Sequence, residues 1–259
     1  MTPPSVSIVV PVLDEAERIE ATLGRIRRDF PGCEVVVVDG GSTDGTVARA
    51  APLAPVVHSR PGRGPQLNAG AAATRGEVIW FVHADTVIDP DALPQMLAAL
   101  ADPAVVGGGL SIRFDHRSAA LGYLAWASNH RARRLGQIFG DQAMFVRRPV
   151  FDRLGGFADI PLMEDLEFSR RLRRAGPLVL LDATSTASAR RFERHGTWRM
   201  IAFMQYLKLR FAAGADPHRL AARYRCGPGL RLPVGAVPPP SPPAPLSPCP
   251  TSPTPGDRE

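Results

Sequence analysis

Three apolar runs, each closing on carboxylates, constrain this chain more than any other feature. Val6–Val12 (VSIVVPV), residues 34–38 (EVVVV) and residues 77–82 (EVIWFV) are hydrophobic with little polar alternation, as in strands buried on both faces. Between them the period changes. Residues 15–28 place Ala16, Ile19, Leu23 and Ile26 on one helical stripe. Residues 43–50 read as a short helix, Val56–His58 as a short strand and residues 65–74 as an alanine-rich helix, and Pro90 introduces a helix over residues 91–100. This alternation predicts an α/β fold with a Rossmann-like, mostly parallel sheet flanked by helices. In such sheets ligands bind beyond the carboxyl ends of the strands. Here those ends are residues 11–15, 39–43 and 83–85, and each carries an acid. Core packing offers no reason for three buried strands to deliver acids to one edge.

The second half is less regular. Residues 105–114 look like a strand with glycines at 107–109, and residues 118–134 like a helix holding Tyr123 and Trp126. Residues 138–146 form a strand interrupted by Gly140-Asp141-Gln142. Glu164–Ala175 is a helix, residues 178–181 and 185–192 are strands, and residues 197–213 an amphipathic helix. Residues 233–259 then hold 11 of the chain's 27 prolines, which excludes both a ladder and a packed helix. The expected organisation is one domain over 1–230, with a regular half at 5–104 and a less regular half at 105–215. Residues 231–259 are expected to be a disordered tail.

The net charge of +6 comes almost wholly from arginine, since Lys208 is the only lysine among 31 basic residues. Coding bias is one reading; an anionic partner is the other, because arginine forks match phosphate oxygens in pairs. The arginines lack aromatic interleaving or zinc spacing, which argues against nucleic acid. A diphosphate ligand or an anionic membrane surface stays open. Three cysteines with no paired spacing fit a reduced, cytoplasmic setting. No signal peptide is expected, and no run approaches the roughly 20 apolar residues of a membrane-spanning helix.

Four segments carry candidate chemistry. In Val38-Asp39-Gly40-Gly41-Ser42-Thr43-Asp44, Asp39 ends a strand where ribose or base hydrogen bonds are accepted, and Gly40 and Gly41 permit close backbone approach. Asp44 reads equally as a turn or capping residue. Arg63, in a glycine-rich loop before a helix, is placed to meet a phosphate, although the loop is not a P-loop. Asp85, at the tip of a buried strand, suits Mg²⁺ or Mn²⁺, with His83 and His195 as candidate further ligands. Glu164 and Asp165 open a helix, where the macrodipole favours acids and where a general base toward a sugar hydroxyl also fits.

Together and in this order, SIVVPVLDE, VVVVDGGSTDGT, GRGPQLNAGAAATRGEVIWFVHAD and MEDLEFSRRL resemble the family 2 glycosyltransferases of GT-A fold, over residues 5–215. The subgroup they look most like is the bacterial radical-SAM/selenodomain-associated, arsenosugar-type transferases. The resemblance implies that Asp39 binds the nucleoside, Asp85 is the metal-binding acid of a D-x-D motif, and Asp165 is the base of an E-D pair. It also implies that Pro11, Leu13, Glu15 and Arg63 line the nucleotide pocket. One departure stands out: His83 occupies the place of the first D-x-D acid.

The expected activity is inverting transfer from a nucleotide-diphosphate sugar to a small-molecule or lipid hydroxyl, with a divalent metal. Peripheral contact with the inner face of a membrane is a secondary expectation. Two alternatives compete. A nucleotidyltransferase would need a glycine-rich loop after the first strand, and residues 11–15 contain no glycine. A non-catalytic sugar-nucleotide sensor would have no use for the Glu164-Asp165 pair.

Overall fold

The computed structural model describes residues 3–228, so the expected tail at 231–259 lies outside the described residues. The first half keeps the β-then-α rhythm. Strand β1 (Val6–Val12) leads through helix α1 (Ile19–Asp29) to β2 (Glu34–Asp39), then α2 (Thr46–Ala50), β3 (Val56–His58), α3 (Arg63–Ala73) and β4 (Val78–Phe81). A short strand β5 (Val87–Ile88) and helix α4 (Ala92–Ala99) follow. The second half runs β6 (Gly107–Phe114), α5 (Ala119–Leu135), β7 (Phe145–Arg147), α6 (Arg148–Arg153), α7 (Glu164–Ala175), β8 (Leu178–Ala187), α8 (Arg190–His195), α9 (Thr197–Ala212) and α10 (Pro217–Cys226).

All the strands join one sheet in the order β3-β2-β1-β4-β7-β6-β8-β5. The β3-β2-β1-β4 half is parallel throughout. Strand β7 runs antiparallel to both β4 and β6, β8 lies parallel to β6, and β5 closes the far edge antiparallel to β8.

The apolar runs are explained by burial on both faces. Ile8 and Val10 pack with Leu23 and Ile26 of α1 and Met96 of α4, whereas Val9 packs on the other side with Leu67 of α3 and Phe168 of α7. Each such side chain contributes roughly 1.5–3 kcal/mol on leaving water. Helix α3 lies so close to the sheet that a Cβ on Gly70 would fall 2.3 Å from Val9 Cγ1. Trp80 is fully buried, and its indole N–H donates to the Ala143 carbonyl at 3.0 Å. A third apolar cluster, away from the sheet's first half, joins Leu121 and Leu124 of α5 to Phe192, Met200, Leu207 and Leu220.

Several boundaries differ from the sequence expectation. Helix α1 begins at Ile19 rather than residue 15, because the amides of Glu15 and Ala16 donate to Thr46 Oγ1 and Asp44 Oδ2. Helix α2 begins at Thr46 rather than residue 43, behind Gly45 at φ +88°. The expected strand over 138–146 is confined to Phe145–Arg147, since Gly140–Gln142 makes a 3₁₀ turn that ends on Ala143 at φ +45°. The strand expected over 185–192 stops at Ala187 as the end of β8, and Arg190 opens a helix instead. Strand β5 and helices α6 and α10 have no counterpart in the sequence reading. Among the described residues no helix is long and apolar enough to cross a membrane.

Candidate active site

Strands β1 and β2 end side by side, and crossed hydrogen bonds stitch their loops together. The Asp14 amide donates to Ser42 Oγ at 3.0 Å, and the Thr43 amide donates to Asp14 Oδ1 at 2.8 Å. The Glu15 amide reaches Thr46 Oγ1 at 2.8 Å, and Asp44 accepts from the amides of Ala16 and Thr46. Asp44 is therefore a turn-holding residue. Asp39 is 2% exposed, and its carboxylate accepts from the amides of Gly41 (3.1 Å) and Ser42 (3.0 Å), with His58 Nδ1 at 3.4 Å. Burial alone would raise its pKa. The bonds from Ser42, Gly41 and His58 outweigh that and hold the carboxyl below its ordinary range.

Behind this edge sits Gln66, a residue the sequence reading passed over. Its buried Nε2 donates to the carbonyls of Val12 (2.8 Å) and Val38 (2.9 Å), tying the last turns of β1 and β2 together. Gly40 makes this possible, because a Cβ there would lie 2.9 Å from the Gln66 amide. The only sequence signal was a polar residue on the sheet-facing side of an alanine-rich helix.

Beyond β4, a cavity of about 240 Å³ opens between the sheet edge and helices α7, α8 and α9. Arg63, His83, Asp85, Glu164 and Asp165 all line it. Asp165 is oriented by the backbone: the Gly140 amide donates to Oδ2 at 2.9 Å and the Leu166 amide to Oδ1 at 2.6 Å. Glu164 is 4% exposed, and burial, then the adjacent Asp165, raises its pKa to about 7. Arg63 faces these acids, and although desolvation works against its charge, Glu164 and Asp165 hold its pKa above the ordinary value. His83 is driven the other way. Burial and the Arg63 charge push it down to about 3, so the ring is neutral.

A second groove shares Asp85, Ser188 and Arg191 with the first and continues past Arg190, Arg194, His195 and Arg225. Arg191 is steadied there by stacking on Tyr224, 3.9 Å from the ring centroid. Three arginines of the other clusters are bound into the fold. Arg147 binds the carbonyls of Leu100, Asp102 and Val105, Arg148 those of Gly76 and Ala71, and Arg171 those of Leu154 and Gly156. The arginine excess thus divides into structural clamps and a cationic groove beside Asp85.

The donor set around Asp85 can be tested for a cation. Its carboxylate has no hydrogen-bond partner among the described residues, and its charge, after burial, raises the pKa of Glu15. His195 borders the same groove as Asp85, whereas the His83 ring sits against Gly140, where a Cβ would lie 3.0 Å from its Nε2. No group of three His, Cys, Asp or Glu side chains able to hold a metal occurs among the described residues. A closed protein cage is not present. A hard cation that takes one or two carboxylates and completes its shell with phosphate oxygens does fit.

The profile of glycosyl transferase family 2 matches residues 7–155, more than half of the chain. The chain belongs to this family. A glucosyl-3-phosphoglycerate synthase of Mycolicibacterium paratuberculosis is 33% identical over 120 residues, which is 42% of this chain and 36% of that protein. The match thus spans little more than a third of that relative's length. Among solved structures, a mannosyltransferase of Pyrobaculum calidifontis in complex with GDP-Man and Mn²⁺ superposes with a TM-score of 0.59 at 22% identity, covering 86% of this chain and 68% of the other. A Mycobacterium tuberculosis glucosyl-3-phosphoglycerate synthase in complex with Mn²⁺, UDP and glucosyl-3-phosphoglycerate gives 0.52 at 21% identity, over 71% and 72%. These likenesses establish the GT-A fold. They lie with glucosyl-3-phosphoglycerate synthases rather than with the radical-SAM/selenodomain-associated subgroup, so the comparison reaches the family and not that subgroup.

For a family 2 transferase the candidate residues fall into two groups. Arg63, His83, Asp85, Glu164 and Asp165 share the cavity. Pro11, Leu13, Asp39 and Gly41 lie along the β1 and β2 edge instead, with Leu13 49% exposed and free to meet a ligand. Glu15 couples the two groups through its field on Asp85. Tyr123 and Trp126 are 51% and 61% exposed on the outer face of α5 and do not line the cavity. Asp141 does line it, with a buried Oδ1 that has no partner among the described residues. Burial raises its pKa. Tyr224 carries no periodic signal of its own in α10, and Lys208 stands out only as the single lysine.

Proposed function

We propose that this chain transfers a sugar from a nucleotide-diphosphate donor to an acceptor hydroxyl, with inversion at the anomeric carbon. The observation that carries this reading is the convergence of Asp85, Arg63 and the Glu164-Asp165 pair on one cavity at the carboxyl end of the parallel sheet. The nucleoside lies along Asp39, Gly41, Pro11 and Leu13, and its diphosphate runs toward Asp85. Asp85, with Glu15 and His195 nearby, would hold Mg²⁺ or Mn²⁺, which when bound offsets charge on the diphosphate. The family relatives solved with Mn²⁺ and a nucleotide or nucleotide sugar support that choice.

Asp165 is the general base. Two amide donors aim its carboxylate, while Glu164, raised to about 7, is partly protonated beside it near neutral pH. The acceptor oxygen forms a bond to the anomeric carbon as the bond to the diphosphate oxygen breaks. The acceptor proton goes to Asp165 and the electron pair leaves with the diphosphate, whose charge Arg63 and Arg191 meet. Residues 1–230 act as the single domain for this reaction.

The test screens UDP-, GDP- and dTDP-sugars with Mn²⁺ for nucleotide release, with and without EDTA. With the active donor, Asp165→Asn is expected to lower transfer by about 10²–10⁴-fold while donor affinity stays near wild type. Full activity in that variant removes Asp165 as the base, and no nucleotide release from any donor overturns the transferase reading.

A further inference from the structure

Resting on that transferase reading, we propose that the acceptor is an alcohol carried on an apolar body, such as an aliphatic or aromatic alcohol, rather than a polyol or a phosphorylated acid. The cavity that holds Asp165 has two unlike sets of lining residues. Toward Asp85, Ser188 and Arg191 it is polar and opens into the arginine groove. The residues that line it without reaching that groove include Phe114, Leu162, Phe192, Met200, Met204 and Leu207. Met200, Met204 and Leu207 recur at i, i+4 and i+7 and so present one face of α9 to the space.

These residues belong to the third apolar cluster, and a simple core would close around them. Protein interiors leave few voids larger than a water molecule, yet these side chains border the open cavity of about 240 Å³ that holds Asp165. Three of the chain's six methionines, Met163, Met200 and Met204, line it. Methionine is the side chain that best adapts its shape to an apolar guest.

Two cations on this side, Arg131 and Lys208, both lie over the Phe139 ring. Arg131 lies 3.7 Å over the Phe139 ring and donates to Gln137 O and Gln142 Oε1. Lys208 sits 4.6 Å over the same ring and faces the carboxylates of Asp141 and Asp165. The guanidinium groups of Arg190, Arg194 and Arg225 line the neighbouring groove at the donor end. A hydroxyl leading an apolar body therefore reaches Asp165 along the methionines, while a phosphate brought there would compete with the donor diphosphate for Arg63 and Arg191.

The full chain is supplied with Mn²⁺ and whichever sugar nucleotide it hydrolyses, and offered 1-octanol, 2-phenylethanol, glycerol or 3-phosphoglycerate. Transfer to 1-octanol or 2-phenylethanol with a KM at least tenfold below that for glycerol is the expected result, and the preferred alcohol separates an aliphatic from an aromatic acceptor. Met204→Glu is expected to raise the KM for the preferred alcohol at least tenfold, with a smaller change in kcat. Glycerol or 3-phosphoglycerate used as well as the apolar alcohols, or an unchanged KM in Met204→Glu, overturns the proposal. If no donor is turned over, the transferase reading fails separately, and calorimetry of 1-octanol and 2-phenylethanol binding decides this one: no binding of either by the wild-type chain overturns it, whereas binding lost in Met204→Glu supports it.

Discussion

Replacing Gln66 by methionine tests whether one side chain sets the geometry of the donor edge. Methionine keeps the length and volume of the side chain, so no cavity opens, but it removes both hydrogen-bond donors. The Val12 carbonyl retains the Gly40 amide at 3.0 Å, so losing its second donor costs about 1 kcal/mol. The Val38 carbonyl likewise keeps its place in the parallel ladder between β1 and β2, because Pro11 opposite it has no N–H and the Val12 amide makes the bond, so this loss also costs about 1 kcal/mol. The sum, about 2 kcal/mol, corresponds in a domain of this size to a fall in Tm of about 4–8 °C. The same two carbonyls lie immediately before the Leu13 and Asp39 turns, so separation of the strand ends also weakens the nucleotide edge. Calorimetry would follow the Tm, and titration with the active nucleotide would follow the Kd. A Tm within about 2 °C of wild type, with an unchanged nucleotide Kd, would show that β1 and β2 hold their spacing without Gln66.

Gly70→Ala places a methyl group 2.3 Å from Val9 Cγ1 and 2.8 Å from Val38 Cγ2; a loss of about 1–3 kcal/mol is expected, read as a lower urea midpoint. Lys208 gives a pH signature. Burial pushes its ammonium from 10.5 down to about 8, so the folded state sheds the proton first. The penalty for burying the charge is full below about pH 8 and is relieved as the pH rises from there through 10.5. The difference in urea midpoint between Lys208→Met and wild type should therefore favour the variant most at pH 7 and shrink steadily by pH 10. A constant difference would place Lys208 in a solvated setting.

The parallel half of the fold was legible because a single physical demand shaped it. A strand covered by helices on both faces must be apolar at every position, which is why Ile8, Val9 and Val10 could be read as β1 without any partner in view. The acids at its end were legible for the converse reason: Asp39 and Asp85 interrupt runs in which every neighbour is buried. Loop detail was not. Whether Asp44 caps a helix or binds the Ala16 amide depends on how the β1 loop folds against the β2 loop, a contact between residues 28 positions apart. Single-segment propensity carries no information about it.

The second half resisted for a different reason. There the sheet changes direction at β7, and a residue such as Gly140 serves the 3₁₀ turn, the amide bond to Asp165 and the close approach of His83 at once. Three demands on one glycine leave no periodic trace. The same crowding explains the departure at His83. An acid at that position would add a negative charge beside Asp165, which a neutral ring held down to about 3 does not. The substitution therefore keeps like charge away from the proposed base and leaves Asp85, in its proposed metal-binding role, with Glu15 within reach of its charge. On that argument His83→Asp would not restore an ordinary D-x-D site. It would add a carboxylate beside Glu164, Asp165 and Asp141, whose charge Arg63 and Lys208 already face.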